Sequence, residues 1–374
     1  MRIIIIKFPY IDSSFYIKFC ELAEKIEYDI AGIVSMDLEE KSTSIKKYPV
    51  YPLNEILNLS WEAAVFVCDD NIFKDISKSM VDLGIGTKEQ FKNCYWLLQQ
   101  YMIKKYEDFA DPSIQEILKY WQTHDLSIFN QYLPENRVIG DRVFFDSDCD
   151  LPYIHFKTIG GDYRRMYYPR NKKFTERNGE KFVLNLMMEQ LPTSPHLYIK
   201  DNHKVNASDI VIDAGVCEGN FALRYIDLCS KMYLFEADPN WFKPLNQTFK
   251  NYRDKVEIIS RFVSDVTDDK NITIDDALPD LRGEKIFLKM DIEGAEPFAL
   301  RGAKRILTNN FVKASICSYH NKDDLIKIKA IMQKYGYQTA TSAGWMVFIP
   351  DPKIWNTADF RKGIVYAENY VQKR

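Results

Sequence analysis

The stretch Val211-Ile-Asp213-Ala-Gly215-Val-Cys-Glu-Gly219-Asn-Phe221 constrains this chain more than any other. A strand that runs out into an acid and two spaced glycines must turn sharply, and a helix must pick the chain up afterwards. A second apolar run, Phe287-Leu-Lys-Met-Asp291-Ile-Glu293-Gly-Ala-Glu296, ends the same way, with three carboxylates. Two strands that finish in acid and glycine put reactive groups along one edge of a sheet, the carboxyl edge where open α/β folds collect ligands.

The rest of the chain supports such a sheet. Strand patterns at 210–214, 231–236, 256–260, 285–291, 314–318, 337–341 and 345–349 alternate with helical ones, the last two strands reading as a hairpin through Ser342-Ala-Gly344. The first part has its own rhythm: strands at 3–7, 30–35, 48–51 and 63–68, helices at 13–26 and 53–57, then an aromatic helical stretch over 88–133. With 374 residues, of which 46% are hydrophobic, two domains are expected. The reading is an N-terminal α/β domain over 1–150, a basic and aromatic connector over 151–205, and a second α/β domain over 206–374 that ends in a docked helix within 355–374. The connector holds a hairpin-like piece, 153–168, and a helix near 181–189.

Bulk charge excludes little and selects less. Fifty basic and fifty-three acidic residues give a formal net charge of −3, which supplies no drive towards nucleic acid or an anionic membrane. Apolar runs are too short for a signal peptide or a spanning helix, so a cytoplasmic protein is expected. Seven cysteines without CxxC spacing read as buried thiols rather than a zinc site or a disulfide framework.

A cofactor is implied by what surrounds the glycine turn. Glu236 ends the next strand, about twenty residues on, where an acid can take both hydroxyls of a ribose. A nicotinamide dinucleotide site calls for three glycines as GxGxxG, whereas here three residues separate only two. Asp213 inside the motif also opposes a pyrophosphate, and suits a zwitterion such as the amino-acid tail of S-adenosylmethionine. The first strand of the chain runs into Phe8-Pro9-Tyr10, with no glycine to cradle a phosphate.

These segments, with Tyr233-Leu-Phe-Glu236-Ala-Asp-Pro239, Leu300-Arg-Gly302-Ala303 and Ser318-Tyr-His320, resemble the FkbM family of S-adenosylmethionine-dependent methyltransferases over about residues 205–350. The resemblance implies a Rossmann-like class I methyltransferase fold, a seven-stranded sheet with one antiparallel strand, preceded here by a smaller Rossmann-like α/β domain. It implies O-methylation, often of sugars or glycan precursors. It places Asp213, Gly215, Gly219 and Phe221 at the methionine end of the cofactor and Glu236 at its ribose. Phe262-Val263-Ser-Asp265 borders the adenine, and Asp291 is counted with the cofactor residues. Cys217 and Glu218 depart from the small or polar residues usual in that loop.

Methyl transfer needs an acceptor oxygen in line with a sulfonium methyl, and a base only as the hydroxyl ionises. His320 is expected as that base, with Asp291 orienting it and Glu293 beside them. The same groups, Asp291 and His320 with Glu293 or Asp323, are also candidates for a divalent metal. Glu296 reads as a first-turn helix carboxylate, favourable to the dipole alone. Arg164, Arg165 and Tyr168 form the one local basic and aromatic cluster, suited to the diphosphate of a nucleotide sugar. The expected function is therefore methylation of a sugar hydroxyl on a nucleotide-linked sugar or capsular polysaccharide precursor, with homo-oligomerisation open. The alternatives are an NAD(P)-dependent sugar oxidoreductase and a non-catalytic nucleotide-binding subunit.

Overall fold

Four consecutive isoleucines, Ile3 to Ile6, sit at the centre of the first sheet in a computed structural model that describes residues 1–37, 39, 43–67, 70–126, 142–170, 186–349 and 357–369. The chain forms two compact units, Met1–Ile128 with Val347–Asp359, and Phe129–Met346 with Phe360–Arg374. The described residues 151–170 and 186–205, read as a connector, thus fall within the second unit.

In the first unit, β1 (Arg2–Lys7), β2 (Asp29–Ser35), β3 (Ser44–Ile45), β4 (Tyr48–Pro52), β5 (Ala63–Phe66) and β6 (Phe91–Asn93) lie in the order β3-β4-β2-β1-β5-β6. All neighbours are parallel except β3 and β4. Burial on both faces of β1 explains its unbroken apolar run. Among its described residues the unit also has helices α1 (Ser13–Lys25), α2 (Asp70–Asp82), α3 (Cys94–Tyr106) and α4 (Pro112–Trp121), and the helix expected at 53–57 is a 3-10 helix, Leu53–Asn58. Side chains fix where three of them begin: Asp12 accepts from the Ser14 amide, Asn93 from Trp96, and Asp111 from Ser113 and Ile114 ahead of Pro112. The three residues of β6 were too few to stand out as a pattern.

The second unit opens with an antiparallel sheet of β7 (Phe144–Asp146), β8 (Leu151–Lys157) and β9 (Tyr163–Tyr167). The expected hairpin is therefore β8 and β9, widened by a third strand. Of the helix expected near 181–189, residues 186–189 are helical and the remainder lies outside the described residues.

The main sheet comprises β10 (Ile210–Ala214), β11 (Lys231–Phe235), β12 (Val256–Ile259), β15 (Lys285–Met290), β16 (Phe311–Cys317), β17 (Gln338–Thr341) and β20 (Ile364–Glu368). A short pair, β13 (Phe262–Val263) and β14 (Asn271–Ile272), stands apart, and β18 (Met346–Phe348) and β19 (Asp359–Arg361) lie where the chain passes between units. Intervening helices are α5 (Asn220–Tyr225), α6 (Pro239–Thr248), α7 (Ile274–Ala277), α8 (Glu296–Arg301), α9 (Lys304–Asn309) and α10 (Asp324–Lys334). The strand order is β12-β11-β10-β15-β16-β20-β17, with β20 antiparallel to both its neighbours. This is a seven-stranded Rossmann-like sheet with one reversed strand, as the resemblance implied.

Two expectations fail here. The docked C-terminal helix is instead β20: Ile364, Val365, Tyr366 and Ala367 are all buried, as a strand covered on both faces requires. Residues 370–374 lie outside the described residues. β17 does not form a hairpin with the strand that follows it, because β20 takes its edge. Among the described residues no helix is long and apolar enough to cross a membrane.

Candidate functional site

At the end of β10 the chain turns at Gly215 with φ of 80°. A Cβ there would fall 1.7 Å from the carbonyl oxygen of Asp291, and the Asp291 amide donates to the Ala214 carbonyl at 2.9 Å. The glycine is thus demanded by the neighbouring strand's exit, which passes directly against it. Gly219, also left-handed at φ of 83°, starts α5 against Phe249 and Leu245. Between them Cys217 takes φ of 51°, a strained conformation for a residue with a Cβ.

Glu236 ties this loop to the next strand. One carboxylate oxygen accepts from the Cys217 amide and the other from the Asp238 amide, both at 2.8 Å. Each oxygen keeps a lone pair, so the group is positioned and still able to accept two hydroxyls.

Asp213 is met by a buried cation. It is Lys289's direct neighbour across β10 and β15, and the Lys289 ammonium lies 3.1 Å from its carboxylate and also donates to the Gly215 carbonyl. Both side chains are buried, 0% and 6% exposed. Burial works against the Lys289 charge, but Asp213 and Asp291 outweigh it and hold the ammonium above its ordinary pKa. Sequence reasoning missed Lys289, although its place opposite Asp213 follows once the two strands are aligned. Phe221 packs into the core, stacked on Phe287 with Tyr198 edge-on, and Val263 is buried beside α8 and α9.

The second motif builds the densest group of charges. Asp291 leaves β15, and Glu293 and Gly294 follow with φ of 57° and 97°, folding the loop back on itself. The Asp291 carboxylate accepts from the Tyr198 hydroxyl at 2.7 Å. It also lies 3.5 Å from His196 Nε2 and 3.4 Å from His320 Nε2. Burial raises its pKa, yet His196, Lys289 and His320 together hold it well below the usual carboxylate range.

His320 follows β16, and its backbone carbonyl is gripped, with that of Tyr319, by the buried Arg361 guanidinium. Its Nε2 also lies 3.5 Å from Glu293, while Nδ1 is 3.1 Å from Glu296. Burial disfavours a charged ring, but Glu296, Asp291 and Glu293 outweigh it and raise the imidazole pKa. Glu296 does begin α8 as expected, but it is fully buried and turned inward: Oε1 accepts from the Ile292 amide at 2.9 Å. Asp323, considered above as a ligand, instead points to solvent beside Lys327.

Behind Asp291 lies a second histidine that sequence reasoning passed over. Buried His196 meets the Tyr319 hydroxyl at 3.2 Å, Cys317 at 3.6 Å and Glu189 at 3.8 Å. Its signal was faint, a Pro195-His196-Leu-Tyr198 step in an irregular segment. Burial, with Glu218 and Asp291 adding to it, pushes Glu189 up to about 8, and burial pushes Glu218 in the glycine loop up to about 7. Near neutral pH Glu189 is therefore mainly protonated and Glu218 only partly ionised.

The basic and aromatic cluster meets carboxylates of its own unit. Arg164 donates to the Tyr252 hydroxyl at 2.8 Å and to Asp162 at 3.0 Å, with Asp227 at 3.8 Å. Arg165 pairs with Asp146 at 2.9 Å above the Tyr153 ring. Tyr168 is buried, edge-on to Trp241. Lys172 and Lys173 lie outside the described residues.

Residues 173–339 match the family described as methyltransferase FkbM domain. Over 98% of its length the chain is similar to a solved methyltransferase FkbM from Methylobacillus flagellatus, at 15% identity, 89% of that chain and a TM-score of 0.40. Over 44% of its length it is similar to the precorrin-6Y C5,15-methyltransferase of Geobacter metallireducens, at 12% identity, 80% of that chain and a TM-score of 0.30. An rRNA methylase of Streptococcus thermophilus is similar over 44% as well, at 16% identity, 88% of that chain and a TM-score of 0.27. No curated protein matches the chain.

Proposed function

We propose that this chain, whose residues 173–339 are a methyltransferase FkbM domain, is an S-adenosylmethionine-dependent O-methyltransferase. Its acceptor in this reading is a sugar hydroxyl, carried on a nucleotide-linked sugar or a capsular or surface polysaccharide precursor. The observation that carries the reading is Glu236, fixed by two backbone amides at the mouth of the glycine loop with acceptor capacity left for a ribose. The glycine spacing, two glycines three residues apart rather than GxGxxG, supports this cofactor over an anionic dinucleotide.

Bound there, S-adenosylmethionine would supply a methyl group on a positively charged sulfur that can leave with the C–S electron pair. Glu236 and the amides of the glycine loop hold the nucleoside. Asp291 and His320, at the carboxyl edge of adjacent strands β15 and β16, receive the acceptor. The imidazole takes the hydroxyl proton, and Asp291, steadied by Tyr198 and His196, orients the ring.

Calorimetric titration with S-adenosylhomocysteine, and separately with NADPH, tests the cofactor without knowledge of the acceptor. The expected result is binding of the former alone, lost in Glu236→Ala. Transfer of a labelled methyl group to nucleotide sugars then tests the acceptor. Binding of NADPH alone would overturn the reading in favour of an oxidoreductase, and binding of neither would favour a non-catalytic subunit.

A further inference from the structure

Three carboxylates surround one imidazole at the turn after β15. Glu296 Oε1 lies 3.1 Å from Nδ1 of His320, and Asp291 Oδ1 and Glu293 Oε2 lie 3.4 and 3.5 Å from Nε2. This is more negative charge than the single proton of an imidazolium can balance. Glu296 sharpens the imbalance, because it is fully buried and its Oε2 has no hydrogen-bond partner among the described residues. A buried carboxylate oxygen left without a partner is costly, and such atoms ordinarily have one. The missing partner is best supplied by something that carries positive charge and bonds oxygen.

We propose that Asp291, Glu296 and His320 form a binding site for one divalent cation of the Mn2+ or Mg2+ class, with Glu293 at its rim. One ligand atom from each of the three lies within 4.8 Å of the others, so a single ion reaches all of them after small side-chain adjustments. Two carboxylates and one imidazole make a hard, oxygen-rich donor set that favours these ions over thiophilic ones. A neighbouring group, His196, Asp291 and Cys317, has the same spacing but is the poorer host. Its thiol is fully buried, and burial together with the nearby Asp291 and Glu296 charges opposes the thiolate that a metal needs. Because the two groups share Asp291, one ion is expected rather than two.

The site deepens the methyl-transfer reading, and it rests on that reading only for what the ion does. A cation at this edge coordinates the acceptor oxygen and lowers the cost of ionising it. The proton then leaves through Glu293, whose side chain is 92% exposed. His320 becomes a ligand, and the part of base passes from it. Whether the ion binds is independent of any acceptor.

The test is Mn2+ titration of the full chain by calorimetry and by the loss of the free Mn2+ electron-spin resonance signal. S-adenosylhomocysteine is titrated into the same samples. One Mn2+ per chain is expected, weakened about ten-fold or more in Glu296→Gln and in His320→Gln and unchanged in Cys317→Ala. Circular dichroism identifies variants that fail to fold, and the inference then rests on the remaining one. No Mn2+ binding at millimolar concentration, unchanged affinity in a folded Glu296→Gln, or loss in Cys317→Ala would each overturn it. Retained S-adenosylhomocysteine binding without Mn2+ rejects the metal site alone. Mn2+ binding without S-adenosylhomocysteine rejects the cofactor reading alone.

Discussion

Lys289→Met removes the cation that faces Asp213 at the heart of the main sheet. The substitution nearly conserves volume, so little of its cost is a cavity. What remains is a carboxylate, 0% exposed, whose counter-ion at 3.1 Å has gone, and a Gly215 carbonyl that has lost its donor. Breaking a buried ion pair from one side costs about 3–5 kcal/mol, a large part of a domain's net stability. Asp213→Asn is expected to cost less, because the Lys289 ammonium still has Asp291 nearby. The double variant Asp213→Asn/Lys289→Met leaves no bare charge and should recover more than half of the Lys289→Met loss. Urea unfolding followed by circular dichroism on the full chain measures all three, with the shift falling in the transition of the unit that holds this sheet. A Lys289→Met cost below about 1 kcal/mol, or a double variant no better than the single, would refute the view that Asp213 is ionised against Lys289.

Gly215→Ala must displace the Asp291 carbonyl and hold a left-handed backbone, so it should destabilise by well over 2 kcal/mol, roughly the strain cost alone, and abolish S-adenosylhomocysteine binding. Gly283→Ala, at a φ of 71° but in open space, should cost only about 1 kcal/mol; equal losses in urea unfolding would show that the contact with Asp291 is unimportant. His203, packed between Phe287 and Tyr366 with Ser315 on Nε2, is held down to about 4 by burial and by the charges of Lys313 and Lys200. The unfolded ring takes its proton near 6.5, so this stability is complete above 6.5 and is lost as pH falls towards 4, on the order of 3 kcal/mol. In His203→Gln that part of the pH dependence of urea unfolding should vanish, and an unchanged slope would exclude His203 as its source. Arg164→Ala and Arg165→Ala break partly exposed ion pairs and should cost about 1 kcal/mol or less in urea unfolding. With both guanidinium groups already met by carboxylates, the acceptor KM should not move, and a rise would show that the pair holds the acceptor's phosphates.

The sheet was legible because its strands keep their own patterns, and Ile212 to Gly219 with Glu236 marked the turn at its carboxyl edge without help from tertiary structure. The reversed strand was not legible. Ile364, Val365 and Tyr366 followed by Tyr370 and Val371 fit a helical stripe as well as a buried strand, and only the gap between β16 and β17 decides between them. Glu296 was hidden for a similar reason. A carboxylate at a helix start has a sufficient local explanation, and its inward turn towards His320 depends on a residue far along the chain. Lys289 carried no local signature and His196 only a faint one, since each acquires its role from a charge on another strand or loop.

The placement of β20 bears on how the protein is made. β16 and β17 are joined only through residues 364–368, so a chain still emerging from the ribosome presents two open strand edges until those residues appear. His320 stands at the tip of one of those edges, and the Arg361 that grips its carbonyl arrives in the same late segment. A nascent or clipped chain would thus possess its glycine loop while the His320 end of β16 is still unsupported, and would be prone to pair with other chains through the exposed edges. Completion of this sheet edge is in this way tied to the arrival of residues 361–368.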